Sequence, residues 1–304
     1  MRTAIHERHV GAKRSGALKR AALILLPVLL AGCPAARQPE GPIEGKVTIK
    51  GSDTFGEELA PRLIAEYQKE RPNVHFELES KGTASGFAAL LAGECDIAAA
   101  SGVVSDAVLL AAKSRGIKLN HYGVGRYGVA VIVNTNNPVH RLSQNQVHEI
   151  FTGAITNWKS VSGSDAPIQV YIRDPNSGTH SGFRKLAMKN KPYVPTARAF
   201  TNYAQLAEAV FRDTNGIGYS SMGLAERSGV KAVTIGWMPP SVVSVNQDKY
   251  PYASAVRLYT NKAKETPAAK DFIRFVQSKR GQEIVAEMGF VRIFEPRLDF
   301  DSID

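Results

Sequence analysis

The chain has 304 residues, 43% hydrophobic and 22% charged, which excludes a disordered, collagen-like or disulfide-stapled protein and provides for a sizeable core. Its formal net charge of +10 raises nucleic acid as a partner, but +5 of it lies in residues 1–33. The remaining +5 is spread along the chain without a Lys/Arg block or an aromatic ladder, which argues against nucleic-acid binding and fits an anionic ligand or a solvated surface.

Residues 1–33 read as an export signal. Basic residues run to Arg20, and a short apolar stretch, Ala21 to Leu30, is interrupted by Pro27 and is too short to span a bilayer comfortably. It leads into Leu30-Ala31-Gly32-Cys33, which resembles the lipobox of bacterial lipoproteins, in which the cysteine is acylated and becomes the new N-terminus. Residues 34–45 are rich in Pro, Gly and Ala and read as a flexible tether. Loss of the signal leaves Cys95 as the other cysteine, so no disulfide is expected, and Cys95 reads as a small buried hydrophobe.

From Lys46 strand and helix signals alternate. Val47–Ile49 is strand-like; Phe55, Leu59, Leu63, Ile64 and Tyr67 recur at helical spacing, with Pro61 implying a kink or a late start. A strand over 74–78, a helix around Phe87–Leu91 and a buried strand over 97–100 follow, then a strand over 127–133 that ends at the turn-like 134–138. The pattern predicts a helix over 142–151 with Ser143 as its cap and Gly153 as its stop. Beyond it come a strand over 168–172, a helix carrying Phe183, Leu186 and Ala187, a helix over 203–212 and a strand over 217–220. A strand over 254–259 and helices over 268–277 and 281–288 complete the chain. Alternating βα units imply α/β sheets with helices on both faces and ligands at the carboxyl ends of strands.

Three strand-to-helix junctions share one chemistry: Lys50-Gly51-Ser52-Asp53-Thr54-Phe55, Lys81-Gly82-Thr83-Ala84-Ser85-Gly86, and Arg173 through Ser177-Gly178-Thr179 to Gly182. The first turn of a helix offers unpaired N–H groups and the positive end of the dipole. Glycine admits close backbone approach, and hydroxyls donate without adding charge. Together such loops can replace the water around a tetrahedral anion, although each alone is also an ordinary helix cap. Arg173 adds a guanidinium able to bind an oxyanion through two parallel hydrogen bonds.

These residues carry a family resemblance. Gly51-Ser52-Asp53-Thr54, Gly82 to Gly86, Asp96-Ile97-Ala98, Val131 to Asn134, Ile150 to Gly153 and Thr156-Asn157-Trp158 resemble the substrate-binding proteins of bacterial phosphate ABC transporters, the PstS-like group. So do Arg173 to Thr179, Gly216 to Tyr219, Tyr250-Pro251 and Gly281-Gln282. The resemblance implies a periplasmic-binding-protein type II fold, a Venus flytrap of two α/β lobes joined by crossing strands. Lobe I is expected at residues 46–126 plus 251–304 and lobe II at 127–250. It also implies phosphate bound in the cleft by Thr54, Phe55, Thr83, Arg173, Ser177, Gly178 and Thr179, with Ser52, Ser101 and Arg126 as possible additional ligands. Handover to a transmembrane ABC permease, a membrane tether through lipidated Cys33 in the cell envelope and a monomeric state complete the expectation. No cofactor, metal or catalytic residue is expected.

Two departures stand out. Relatives commonly carry Ser-Arg after the strand beyond Asp96, or an Asp there that accepts a proton from the ligand, where this chain has Ser101-Gly102. Near the hinge, where relatives often have Asp-Gly, it has Arg126-Tyr127-Gly128. Arg126 is a candidate to supply the missing charge, a solvated arginine being the alternative. Asp53 is a candidate acceptor or a helix cap, and Asp174 either orients Arg173 or sits in a turn. The rival readings are a lipid-anchored oxyanion sensor or scavenger, and a phosphomonoesterase with His180 as base for Ser177 or Ser181. The seven histidines form no metal-binding pair of the H-x-x-x-H kind.

Overall fold

The computed structural model describes residues 43–293 except residue 103; the expected export signal, Cys33 and most of the expected tether lie outside the described residues. The alternation read from the sequence is realised from its first strand onward. Strand β1 (Gly45–Gly51) is followed by a π-helical turn (Thr54–Leu59) and α1 (Ala60–Tyr67). Pro61 lies in the first turn of α1, where its missing N–H costs nothing, so the regular helix starts late as the proline implied. Strand β2 (Val74–Ser80), α2 (Thr83–Ala92), β3 (Ile97–Ser101), α3 (Asp106–Ser114) and the long β4 (Leu119–Val133) follow.

The middle of the chain holds β5 (Arg141–Leu142), α4 (Gln144–Thr152), β6 (Gln169–Arg173), α5 (Gly178–Met188), β7 (Arg198–Phe200), α6 (Tyr203–Arg212) and β8 (Gly216–Ser221). Ser143 and Gln146 form the full capping box of α4, and Gly153 ends it in the left-handed region. Leu142, expected as the first helical residue, belongs instead to β5, where it pairs with Ile235. Then come α7 (Met222–Arg227), β9 (Lys231–Ala232), β10 (Thr234–Ile235), α8 (Val242–Asn246), β11 (Ala253–Asn261), α9 (Pro267–Gln277), α10 (Lys279–Glu287) and β12 (Val291–Arg292).

The main sheet runs β2-β1-β3-β11-β4-β8-β6-β7, with β9 and β12 also paired to β4. β1 is parallel to β2 and β3, β11 is antiparallel to β3 and β4, and β6 is parallel to β7 and β8. β4 is shared between the two halves: Leu119–Gly128 pair with β11, and Val129–Val133 pair with β8. The chain crosses back where the Val129 N–H donates to the Tyr252 carbonyl at 2.9 Å. Such a doubly crossed sheet is the two-lobed arrangement of a type II binding protein.

Packing follows the apolar periodicity. Val47, Ile49 and Ile97 on one half and Val131, Ile132 and Ile217 on the other are fully buried. Helix α9 buries Ala269, Phe272, Ile273 and Val276, and the Phe272 ring meets Tyr67 at 5.3 Å and Phe76 at 4.8 Å. Each such large apolar side chain contributes about 1.5–3 kcal/mol by leaving water. Cys95 packs partly buried against the cluster of Phe87, Leu90 and Tyr259, and burial pushes its thiol up to about 12, so it behaves as the inert hydrophobe expected. Among the described residues no helix is long and apolar enough to cross a membrane.

Candidate anion-binding site

The three glycine- and hydroxyl-rich junctions converge on one point. β1 ends at Gly51, and the Ser52 N–H donates to the Ala99 carbonyl of β3 at 2.9 Å, which brings the first loop beside the end of β3. The Ser52 and Ser101 hydroxyls lie 2.5 Å apart, and the Ser101 N–H donates to Thr83 Oγ1 at 3.0 Å. The second loop reaches the third: the Ala84 N–H donates to the Asn176 carbonyl at 3.3 Å. Gly82 makes this possible, since its φ of +88° suits glycine and a Cβ there would overlap Asn176. Gly178, at the start of α5, lies so close that a Cβ would overlap Thr83 Oγ1 and the Ser101 carbonyl. Elements from both halves of the sheet therefore meet along a seam of Thr83, Ser101 and Gly178.

Behind the seam sits Arg173, at the end of β6 and fully buried. Its Nη2 pairs with Asp53 Oδ2 at 2.8 Å and donates to the Thr201 carbonyl at 2.6 Å, and its Nε donates to Phe200 O at 3.3 Å. The guanidinium lies over the Tyr203 ring, 4.5 Å from its centre. Its Nη1 is buried and has no hydrogen-bond partner. Burial opposes the charge of Arg173, but Tyr203 and Asp53 outweigh it and hold the guanidinium above its ordinary value. Burial raises Asp53 above the usual carboxylate range, with Arg173 pulling the other way.

The expected residues divide into three groups. Ser52, Thr54, Phe55, Ser101, Arg173, Ser177 and Thr179 are buried, and Thr83 and Gly178 are half-buried. Ser177 caps α5, its Oγ accepting from the N–H groups of Thr179 at 3.2 Å and His180 at 3.4 Å. Phe55 donates its N–H to Ser52 Oγ at 3.4 Å while its ring anchors the loop in the core. Arg126 is the outlier. It is half-buried and its guanidinium engages Asp248.

Asp174 does not orient Arg173. Its Oδ1 accepts from the Asn176 N–H at 2.8 Å and so closes a turn, the alternative expected of it. Asp53 takes the orienting position instead, and its side chain makes no cap hydrogen bond. Tyr127 and Tyr203 escaped the sequence reading. The Tyr203 hydroxyl donates to Thr179 Oγ1 at 2.5 Å, and the Tyr127 hydroxyl lies 3.2 Å from the same oxygen. Burial keeps Tyr203 a neutral phenol, its pKa well above the ordinary value. Their only local signals were a helix start after Asn202 and a strand start, neither of which points to a site.

The arrangement can surround an anion with neutral donors and one cation. It shows no nucleophile–base pair. The Ser181 hydroxyl donates to the Gly178 carbonyl at 3.1 Å, the Ser177 hydroxyl caps α5, and the His180 ring packs 4.7 Å from that of Tyr193. Burial, helped by the neighbouring Arg184, lowers His180 to about 4. Among the described residues no group of three or more His, Cys, Asp or Glu could hold a metal ion.

Similarity to known proteins agrees with this geometry. Residues 36–280 match the family model of the PBP superfamily domain. The phosphate-binding protein PstS of Staphylococcus saprophyticus is 26% identical over 286 residues, covering 90% of this chain and 88% of that protein. A Clostridium perfringens protein, assigned as the substrate-binding protein of a phosphate ABC transporter and solved with bound phosphate, is 28% identical at a TM-score of 0.76. It aligns over 82% of this chain and 100% of its own. An ABC-type phosphate transport receptor from Vibrio cholerae is 25% identical at a TM-score of 0.67, over 82% of this chain and 100% of its own. The chain belongs to the PBP superfamily.

Proposed function

We propose that this chain binds inorganic phosphate between two lobes and delivers it to a transmembrane ABC permease for import. The observation that carries the reading is Arg173: a fully buried guanidinium whose Nη1 lacks a partner, set among three donor-rich loops. A buried cation with donor capacity to spare is stabilised by an anion that brings its own charge. In this reading lobe I is residues 46–126 plus 251–304, of which 294–304 lie outside the described residues, and lobe II is residues 127–250, so Thr54, Phe55 and Thr83 approach from one lobe and Arg173, Ser177, Gly178 and Thr179 from the other. Phosphate bridges these donors and shifts the population toward the closed form, which the permease recognises and reopens. The chain is a binding protein and not an enzyme: the hydroxyls at the site are donors, and binding asks for no activated nucleophile.

Selectivity in this reading rests on Asp53. Ser101-Gly102 offers no ionisable group, whereas Asp53 is buried beside Arg173. Hydrogen phosphate can donate its proton to that carboxylate; sulfate has none to give and meets only repulsion. Calorimetric titration with phosphate, sulfate and arsenate tests the reading: one tight phosphate site is expected, with sulfate far weaker. No phosphate binding at all would overturn it.

The transport role and the tether need separate tests. Deletion of the gene is expected to depress phosphate uptake; unchanged uptake would favour a sensor or scavenger. Lipidation at Cys33, supported by Leu30-Ala31-Gly32-Cys33, places the monomer on a membrane of the cell envelope. Cys33→Ala is expected to abolish incorporation of labelled palmitate and release the protein from the membrane fraction.

A further inference from the structure

In front of the seam lies a second, solvent-open cleft of about 810 Å³. Ser101, Gly102 and Gly178 form its inner wall, and β4, β11 and the start of α5 form its sides. Among the described residues lining it, four are cations, Arg126, Arg184, Lys185 and Arg257, and one, Asp106, is an acid. Arg257 Nη1 donates to the Gly102 carbonyl at 2.9 Å, which holds that guanidinium against the inner wall. Arg184 is half-buried, and its Nε is buried without a hydrogen-bond partner. Asp248, which engages Arg126, does not line the cleft.

The two sides of the seam differ in space as well as in charge. At Gly178 the seam has no room for one more methyl group, whereas a Cβ on Gly102 would find only Ser254 Oγ, at 3.9 Å. Positive charge thus collects where water and an anion have access, and it is separated from the buried Arg173 by a contact that must part before an anion can pass. Low-dielectric walls bearing one sign of charge focus the field and raise the local concentration of counter-ions.

We infer that this cleft is a second, weaker oxyanion site that takes inorganic phosphate from solvent and loads the buried site when the seam opens. The inference rests on the phosphate reading above. Because the cleft is open, its hold on phosphate is screened by salt, and the association rate inherits that dependence.

The test uses the full chain and inorganic phosphate, with stopped-flow association and phosphorus NMR titration. Wild-type protein is expected to show one tight site and one weaker saturable site, with association slowing as salt rises. Lys185→Gln/Arg257→Gln is expected to lose the weaker site and slow association roughly tenfold, leaving dissociation from the tight site unchanged. Arg184→Gln gives a second variant should the Arg257 contact prove needed for folding. Arg173→Ala is expected to do the reverse, removing the tight site and keeping the weak one. Tight binding with no second site, or with an association rate indifferent to both variants, overturns the inference and leaves the phosphate reading standing. Loss of all phosphate binding by the wild-type protein overturns both.

Discussion

Arg173 and Asp53 meet at 2.8 Å with side chains 1% and 4% exposed, although 120 positions separate them in sequence and they belong to opposite halves of the sheet. A charge pair so thoroughly desolvated stabilises little in net terms, but it is costly to break from one side. It ties the closing of the two halves to the chemistry of the ligand.

Arg173→Ala is therefore expected to weaken phosphate binding by about 2–5 kcal/mol, or roughly 30- to 4000-fold in Kd. Part of that loss is the Asp53 carboxylate left buried beside an incoming dianion. Calorimetry checks the prediction, and undiminished affinity would mean that the anion binds elsewhere.

Asp53→Asn separates selectivity from affinity. The amide can donate to an oxyanion but cannot accept a proton as a carboxylate does, so sulfate should gain about tenfold or more while phosphate loses. The ratio of the two Kd values is the readout. A ratio unchanged from wild type would remove Asp53 as the acceptor.

What was legible in the sequence was local. The Ser143 cap and Gly153 stop of α4 were readable because capping acts within one turn, and β1 and β3 because apolar runs bounded by Gly and Ser leave few alternatives. The donor loops were readable for the same reason, and the family resemblance supplied their common purpose. The first half of β4 was not. Its Gly123-Val124-Gly125 weakens any strand signal, and pairing with β11 is what extends it, with a register shift opposite that segment. Helix α3 was missed because its apolar residues stay largely exposed: Leu109 and Leu110 are 46% and 66% exposed. Asp174 was weighed as the partner of Arg173 because it is the adjacent residue, whereas the observed partner is brought in by tertiary structure alone.

His180 gives the fold a pH dependence whose sign is fixed. Its pKa falls from 6.5 to about 4 because burial disfavours the imidazolium. A lowered histidine contributes stability that is fully present above about 6.5 and is lost as pH falls through about 4. Thermal melts between pH 7 and pH 4 should show a declining Tm, and His180→Phe should flatten that part of the curve. An unaltered slope in the variant would assign the acid lability to other groups.

Gly178→Ala tests the seam itself. The new methyl group would overlap the Thr83 hydroxyl and the Ser101 carbonyl, and the latter is backbone that cannot rotate away. The overlap is confined to the contact of α5's first residue with the second loop and the end of β3, so the fold should persist while the closed form is wedged open. Overpacking of this size costs about 1–3 kcal/mol, and since phosphate binding draws on closure, its Kd should rise roughly 5- to 150-fold. Solution scattering should show the wild-type protein contracting on adding phosphate and the variant contracting less at equal saturation. Ser160→Ala, at an exposed residue that lines neither the seam nor the open cleft, is the control expected to bind as wild type. If Gly178→Ala also binds and contracts as wild type does, the contact among Thr83, Ser101 and Gly178 is not what limits closure.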